Sequence, residues 1–138
     1  MYWEVLDIID VRSFFILFIG AAYLFVWIQV ILFHWRGAFR SKVMWGPVMF
    51  TPVLAAIGIL YAFFQGGFMD LLLVAIFGLG ALEGLAGTYY HFRGVRSYIG
   101  GWTLRNFMVG PPVILALIYM VLSLAVLLVY FLGPAGGG

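Results

Sequence analysis

Long apolar runs, broken by short polar or glycine-containing stretches, make up most of the chain. Crossing a hydrocarbon core takes about 20 mostly apolar residues in a helix. Four runs meet that length: residues 13–33, 43–64, 68–90 and 111–132. The expected fold class is therefore an all-α integral membrane protein with four transmembrane helices, forming one membrane domain over residues 1–138. Pro47 falls near the start of the second run and Pro52 inside it. Pro111 and Pro112 are expected in the first turn of the fourth, where a missing N–H costs little. Only Gln65-Gly66-Gly67 separates the second run from the third, which predicts a tight antiparallel hairpin.

The polar breaks differ in charge. The first holds Arg36, Arg40 and Lys42, and the third holds Arg93, Arg96 and Arg105. The second has no Lys or Arg, and neither does the tail, residues 133–138. Arg12 stands near Glu4, Asp7 and Asp10 before the first run. Six of the seven basic residues thus share one side, which the positive-inside rule makes cytoplasmic. Both termini are then expected on the non-cytoplasmic side of a bacterial-type inner membrane. Trp35, Trp45 and Trp102 fit the basic interface, and Trp3, Tyr61 and Tyr130 the opposite one. Trp27 lies deeper and is expected to pack against a neighbour. The start, Met1-Tyr2-Trp3-Glu4, lacks a basic segment ahead of the first run, and no small-residue cleavage site closes that run. The run is accordingly read as a retained span.

The two basic breaks also resemble each other. One reads His34-Trp35-Arg36-Gly37 with Arg40-Ser41 following, the other His91-Phe92-Arg93-Gly94 with Arg96-Ser97 following. Downstream, Met44-Trp45-Gly46-Pro47-Val48 parallels Met108-Val109-Gly110-Pro111-Pro112-Val113. A tandem duplication of a helical hairpin is expected, with copies at about 11–64 and 68–132. A hairpin crosses the bilayer twice, so both copies run the same way, around a pseudo-two-fold axis along the membrane normal. The plainer alternative is that both stretches are generic interfacial helix ends. Residues 92–109 lengthen the second copy, and Gly100-Gly101 interrupts them. They read either as a segment lying in the headgroup layer or as an ordered cap on the bundle.

Composition agrees with lipid as the solvent. Hydrophobic residues are 66% of the chain and charged residues 9%, against about 45–50% and 25% in soluble domains, and mean hydropathy is +1.16. The absence of cysteine excludes disulfides, thiolate metal sites and iron–sulfur clusters. Nucleic-acid binding is not expected, because the basic residues hug membrane segments. Arg36, Arg40, Lys42, Arg93, Arg96 and Arg105 are instead candidates for contact with anionic lipid headgroups.

Glu83 is the only carboxylate deep in a run. A Glu there costs roughly 2.5–3.5 kcal/mol on insertion scales and faces protein or a cavity. Helical spacing puts Gly80, Glu83, Gly84 and Gly87 on one face, and Gly80-x-x-x-Gly84 allows close helix approach. A seam holding Glu83 is expected, with Tyr23, Gln29 or Thr51 as candidate hydrogen-bond partners; the alternative is a proton or cation relay. In the first copy the equivalent position is Val26. The only histidines, His34 and His91, occupy matching positions. They read as interfacial anchors, or as the two axial ligands of a haem with Arg36 and Arg93 near its propionates. Glu83 lies two turns from His91, too far to share an ion with it. The serines lack a His–acid constellation, and Gly100-Gly101 is not followed by the Lys-Ser/Thr of a phosphate loop.

The expected function is a non-catalytic accessory subunit of a larger membrane complex, of a bioenergetic or photosynthetic kind, with lipids and other membrane subunits as partners and no cofactor. The alternatives are a bis-histidine haem-binding electron carrier and a small transporter or channel using Glu83.

Overall fold

The computed structural model describes residues 10–134. Trp3, Glu4, Asp7 and most of the glycine tail lie outside them. Among the described residues all regular structure is helical. Four helices are long and apolar enough to cross a membrane.

Helix α1 spans Val11–Arg36, three residues beyond the expected run at its C-terminal end. Asp10 caps it, accepting from Ser13 N at 2.7 Å, and an oxygen at this position satisfies one of the orphan first-turn donors. The second membrane helix is α2, Trp45–Tyr61, preceded by a 3₁₀ turn at Lys42–Met44. It stops before Phe64, shorter than expected. Pro52 sits inside it, and the Thr51 hydroxyl donates to the carbonyl of Pro47. Helix α3, Phe68–Gly94, continues through a π-helical turn at Val95–Ile99, so the helical column runs about two turns past residue 90. Gly100 and Gly101 then adopt φ of +100° and +137°, values that need glycine. A six-residue helix, α4, follows at Leu104–Val109, capped by Thr103. Helix α5 is Val113–Leu132. Pro111 and Pro112 precede it rather than filling its first turn: Pro112 is the cap residue, with ψ of 82°.

The membrane helices form a four-sided bundle. α1 packs on α2, α2 on α3, α3 on α5, and α5 on α1. α1 and α3 therefore face each other across a diagonal, running the same way. Ile16, Tyr23, Leu54, Tyr61, Leu73, Phe77 and Val126 fill the interior with at most 0% exposure. Tyr61, expected at an interface, is part of that filling and stacks edge-on with Tyr130 at 6.2 Å. Trp27 packs against α2 as expected, donating Nε1–H to Val48 O at 2.8 Å. Outward positions such as Phe18, Phe25, Leu82 and Leu128 stay apolar and exposed, as lipid-facing residues must.

Candidate functional site

Helix ends and their connections build a cavity of about 900 Å³ at the basic end of the bundle. All four membrane helices contribute to it. α1 supplies His34 and Arg36, the first connection Arg40 and Lys42, α2 Gly46 and Pro47, α3 Glu83, Gly87, His91 and Arg93, and α5 Ala116 and Tyr119. Its size falls within the roughly 300–1,000 Å³ of small-molecule and cofactor sites.

The connections hold its rim in place. After α1 the chain turns sharply, with Ala38 and Phe39 at φ of +57° and +46°. Left-handed backbone costs roughly 1–2 kcal/mol in a non-glycine residue. It is offset here by Ala38 N donating to Trp35 O at 2.7 Å, Phe39 N donating to His34 O at 3.1 Å, and Phe39 stacking on Trp45 at 4.4 Å. Arg40 Nε donates to Gly37 O at 3.1 Å, and its guanidinium lies 5.5 Å from the Tyr98 ring, joining the two basic connections. On the far side Trp102 donates to Phe92 O at 3.0 Å and stacks on the Phe92 ring. Asn106 donates to Gly101 O at 2.7 Å.

The inner wall is a polar chain across three helices. Tyr119 O–H donates to Glu83 Oε2 at 2.7 Å. Tyr23 O–H donates to Tyr119 O at 2.5 Å, which uses its one proton, so Ser123 Oγ–H donates to Tyr23 at 2.6 Å. Small residues make room for these groups. A Cβ on Gly46 would meet Glu83 Oε1 at 2.9 Å, and one on Gly80 would meet Ser123 Oγ at 2.6 Å. Gly84 presses on the Met120 backbone, where a Cβ would come within 2.6 Å of its nitrogen; Gly87 faces Ala116 at 3.6 Å.

Glu83 thus meets Tyr119, which was not among its expected partners. Tyr23 and Thr51 belong to the same chain without touching the carboxylate, and Gln29 is exposed on the outside of α1. Tyr119 and Ser123 had a signal of their own: they are the polar pair at i, i+4 in an otherwise apolar run, and therefore share a face. Below the chain Leu73, Phe77, Ile16 and Val126 form a buried apolar layer, and beyond it the buried Tyr61 and Ser13 lie at the opposite end.

The two histidines come together. Their ring centres are 6.2 Å apart with planes at 85°. His91 Nδ1 lies 3.0 Å from Pro112 O, and a carbonyl only accepts, so Nδ1 carries the proton. His34 is 8% exposed, and its Nδ1 has no partner at hydrogen-bonding geometry. Among the described residues no three of His, Cys, Asp and Glu cluster as a metal site.

Of the six candidate headgroup contacts, Arg36, Arg40, Lys42 and Arg93 line the cavity. Arg96 turns outward over the Trp102 ring at 4.9 Å, beside a second depression of about 530 Å³ on the outer face of α3. Arg105 is exposed on α4. The described carboxylates other than Glu83, Asp10 and Asp70, sit at the opposite end of the bundle, at the starts of α1 and α3. Four cations therefore surround a cavity whose single carboxylate is already hydrogen-bonded, an arrangement that attracts anions. No protein-family model, curated protein or solved structure matches the chain.

Proposed function

We propose that this chain is a non-catalytic membrane subunit whose basic-end cavity holds an anionic amphiphile. The observation that carries the reading is the ring of Arg36, Arg40, Lys42 and Arg93 around a cavity with apolar walls at Pro47, Leu115 and Ala116. An anionic head would sit among the cations and an apolar body would enter between the helices. A tandem-hairpin arrangement is part of this reading, and it is supported by His34 and His91 coming from matching places in the sequence onto diagonal, parallel helices, as a two-fold axis along the bundle would require. The proposed orientation puts the cavity on the cytoplasmic side of a bacterial-type inner membrane, with both termini on the other side. The short α4, with Leu104 and Met108 exposed, would lie in the headgroup layer beside it. The apolar outer faces would meet lipid and neighbouring subunits of a larger complex. A binding role accounts for the apolar layer under the Glu83 chain better than a transport role, which needs polar groups onward to the other side.

The test uses the full chain in neutral detergent. Native mass spectrometry should retain oleate in preference to uncharged monoolein. Reversing two cations together, Arg40→Glu with Arg93→Glu, should weaken oleate binding at least about tenfold, given about 1 kcal/mol per basic residue near an anionic surface. Equal retention of the two amphiphiles, or an unchanged affinity in the double variant, would refute the reading.

A further inference from the structure

We infer that the cavity is a haem site in which His34 and His91 supply both axial ligands. The inference rests on the reading of the cavity as an anionic-ligand site and names the ligand. Imidazoles bind first-row metals at about 2.0–2.1 Å. Two rings sharing one ion from opposite sides then hold their centres roughly 6–6.5 Å apart, at any angle between their planes. The two rings stand at 6.2 Å.

The surroundings select the kind of metal. A bare divalent ion takes four or more ligands, and the protein offers two histidines with no third His, Cys, Asp or Glu grouped beside them among the described residues. A porphyrin brings four nitrogens of its own and needs only the axial pair. Its apolar face suits the walls at Pro47 and Ala116. Its two propionates suit Arg36 and Arg93, which follow each histidine by two residues.

The second contacts fit as well. A ligating histidine is ordinarily held by a hydrogen bond from its other nitrogen. His91 has that bond, from Nδ1 to the carbonyl of Pro112, which leaves Nε2 to ligate. The Pro112 carbonyl also accepts from Ala116 N at 3.4 Å, so the first turn of α5 and the imidazole share one acceptor. His34 is more than nine-tenths buried and its Nδ1 makes no well-formed hydrogen bond; the one group that competes for it is the Val30 backbone, one turn back on α1. α1 and α3, which carry the pair, are the diagonal helices, so the iron would lie on the axis of the bundle.

The experiment titrates ferric haem into the full chain purified in neutral detergent. One haem per chain is expected, with a sharp Soret band and a six-coordinate low-spin spectrum. His34→Gly and His91→Gly should each lose the low-spin spectrum and bind haem more than about tenfold more weakly, at least the loss that follows removal of supporting contacts around a metal. Added imidazole should restore the low-spin spectrum in both variants, which a misfolded chain would not allow. Arg105→Ala, outside the cavity, should behave as wild type. The haem assignment falls if the wild-type chain gives only the spectrum of haem in empty micelles, or if both glycine variants match wild type. If oleate is retained but haem is not, the ligand class is wrong and the cavity reading survives; if neither binds, both fall.

Discussion

The two hairpins close by the same device at different heights. In the first, α1 and α2 touch backbone to backbone at Gly20 and Gly58, where a Cβ on Gly20 would come within 2.9 Å of the partner backbone. In the second, α3 and α5 meet at Gly84 and Met120. Counting back along each helix, Gly20 lies 14 residues from His34 and Gly84 only 7 from His91. At a rise of 1.5 Å per residue these are about 21 Å and about 10 Å. With the histidines aligned, Gly80 and Gly84 of the second hairpin stand opposite Tyr23 and Trp27 of the first. One hairpin is pinched far from the cavity and bridged near it by the Trp27 indole. The other is pinched halfway. The difference shows where the hairpins meet: Gly80 makes room for Ser123 and Leu54 and Gly84 for Met120, while Tyr23 of the first hairpin packs against Phe77 and Tyr119 of the second at 6.0 and 5.3 Å.

The comparison can be broken at its contact points. Gly84→Ala drives a methyl into the Met120 backbone and should have the largest effect, about 3 kcal/mol or more. Gly20→Ala should cost about 1–3 kcal/mol. Gly78→Ala, with open space around it, should stay within about 0.5 kcal/mol of wild type. Thermal unfolding in detergent, read by loss of the monodisperse species, ranks the three; a costlier Gly20 variant would reverse the picture of the second hairpin as the tighter one. Next in size is Tyr119→Phe. It strips Glu83 of its donor and should lose about 1–3 kcal/mol, measured by unfolding in sodium dodecyl sulfate. Tyr23→Phe removes bonds between uncharged groups and should lose about 0.6–1.7 kcal/mol in the same assay. Trp27→Phe gives up one hydrogen bond and should cost the least of the three hydrogen-bond variants, about 0.6 kcal/mol.

Hydropathy and glycine spacing made the four helices and the α3 seam legible, because span length and close approach are properties of one helix at a time. The same is true of Glu83: a lone carboxylate in an apolar run stands out without knowledge of its neighbours. Its partner did not stand out, because depth alone leaves Tyr23, Gln29 and Thr51 equally placed, and only the packing of α5 directly against α3 turns Tyr119 toward it. Gly20 and Gly58 escaped for a similar reason. They are 38 residues apart, and neither has a second glycine four residues away to mark a face. The helix ends shifted because hydropathy tracks the lipid boundary. Hydrogen bonding carries α3 onward past that boundary through polar residues as far as Ile99.

That extension ties the cavity to the thickness of the membrane. α3 with its π-helical turn covers 32 residues, and α2 with its 3₁₀ turn covers 20. At helical rise these are about 48 Å and about 30 Å, against a hydrocarbon core of about 30 Å. The two 20-residue spans match that thickness while α3 exceeds it, and Arg93 and Arg96 lie in the stretch beyond its apolar run. In a bilayer of longer acyl chains that overhang shrinks, and α3 must stand more upright to keep its guanidinium groups wet. Oleate retention is therefore expected to differ between bilayers of short- and long-chain lipid, and equal retention in both would separate the site from membrane thickness.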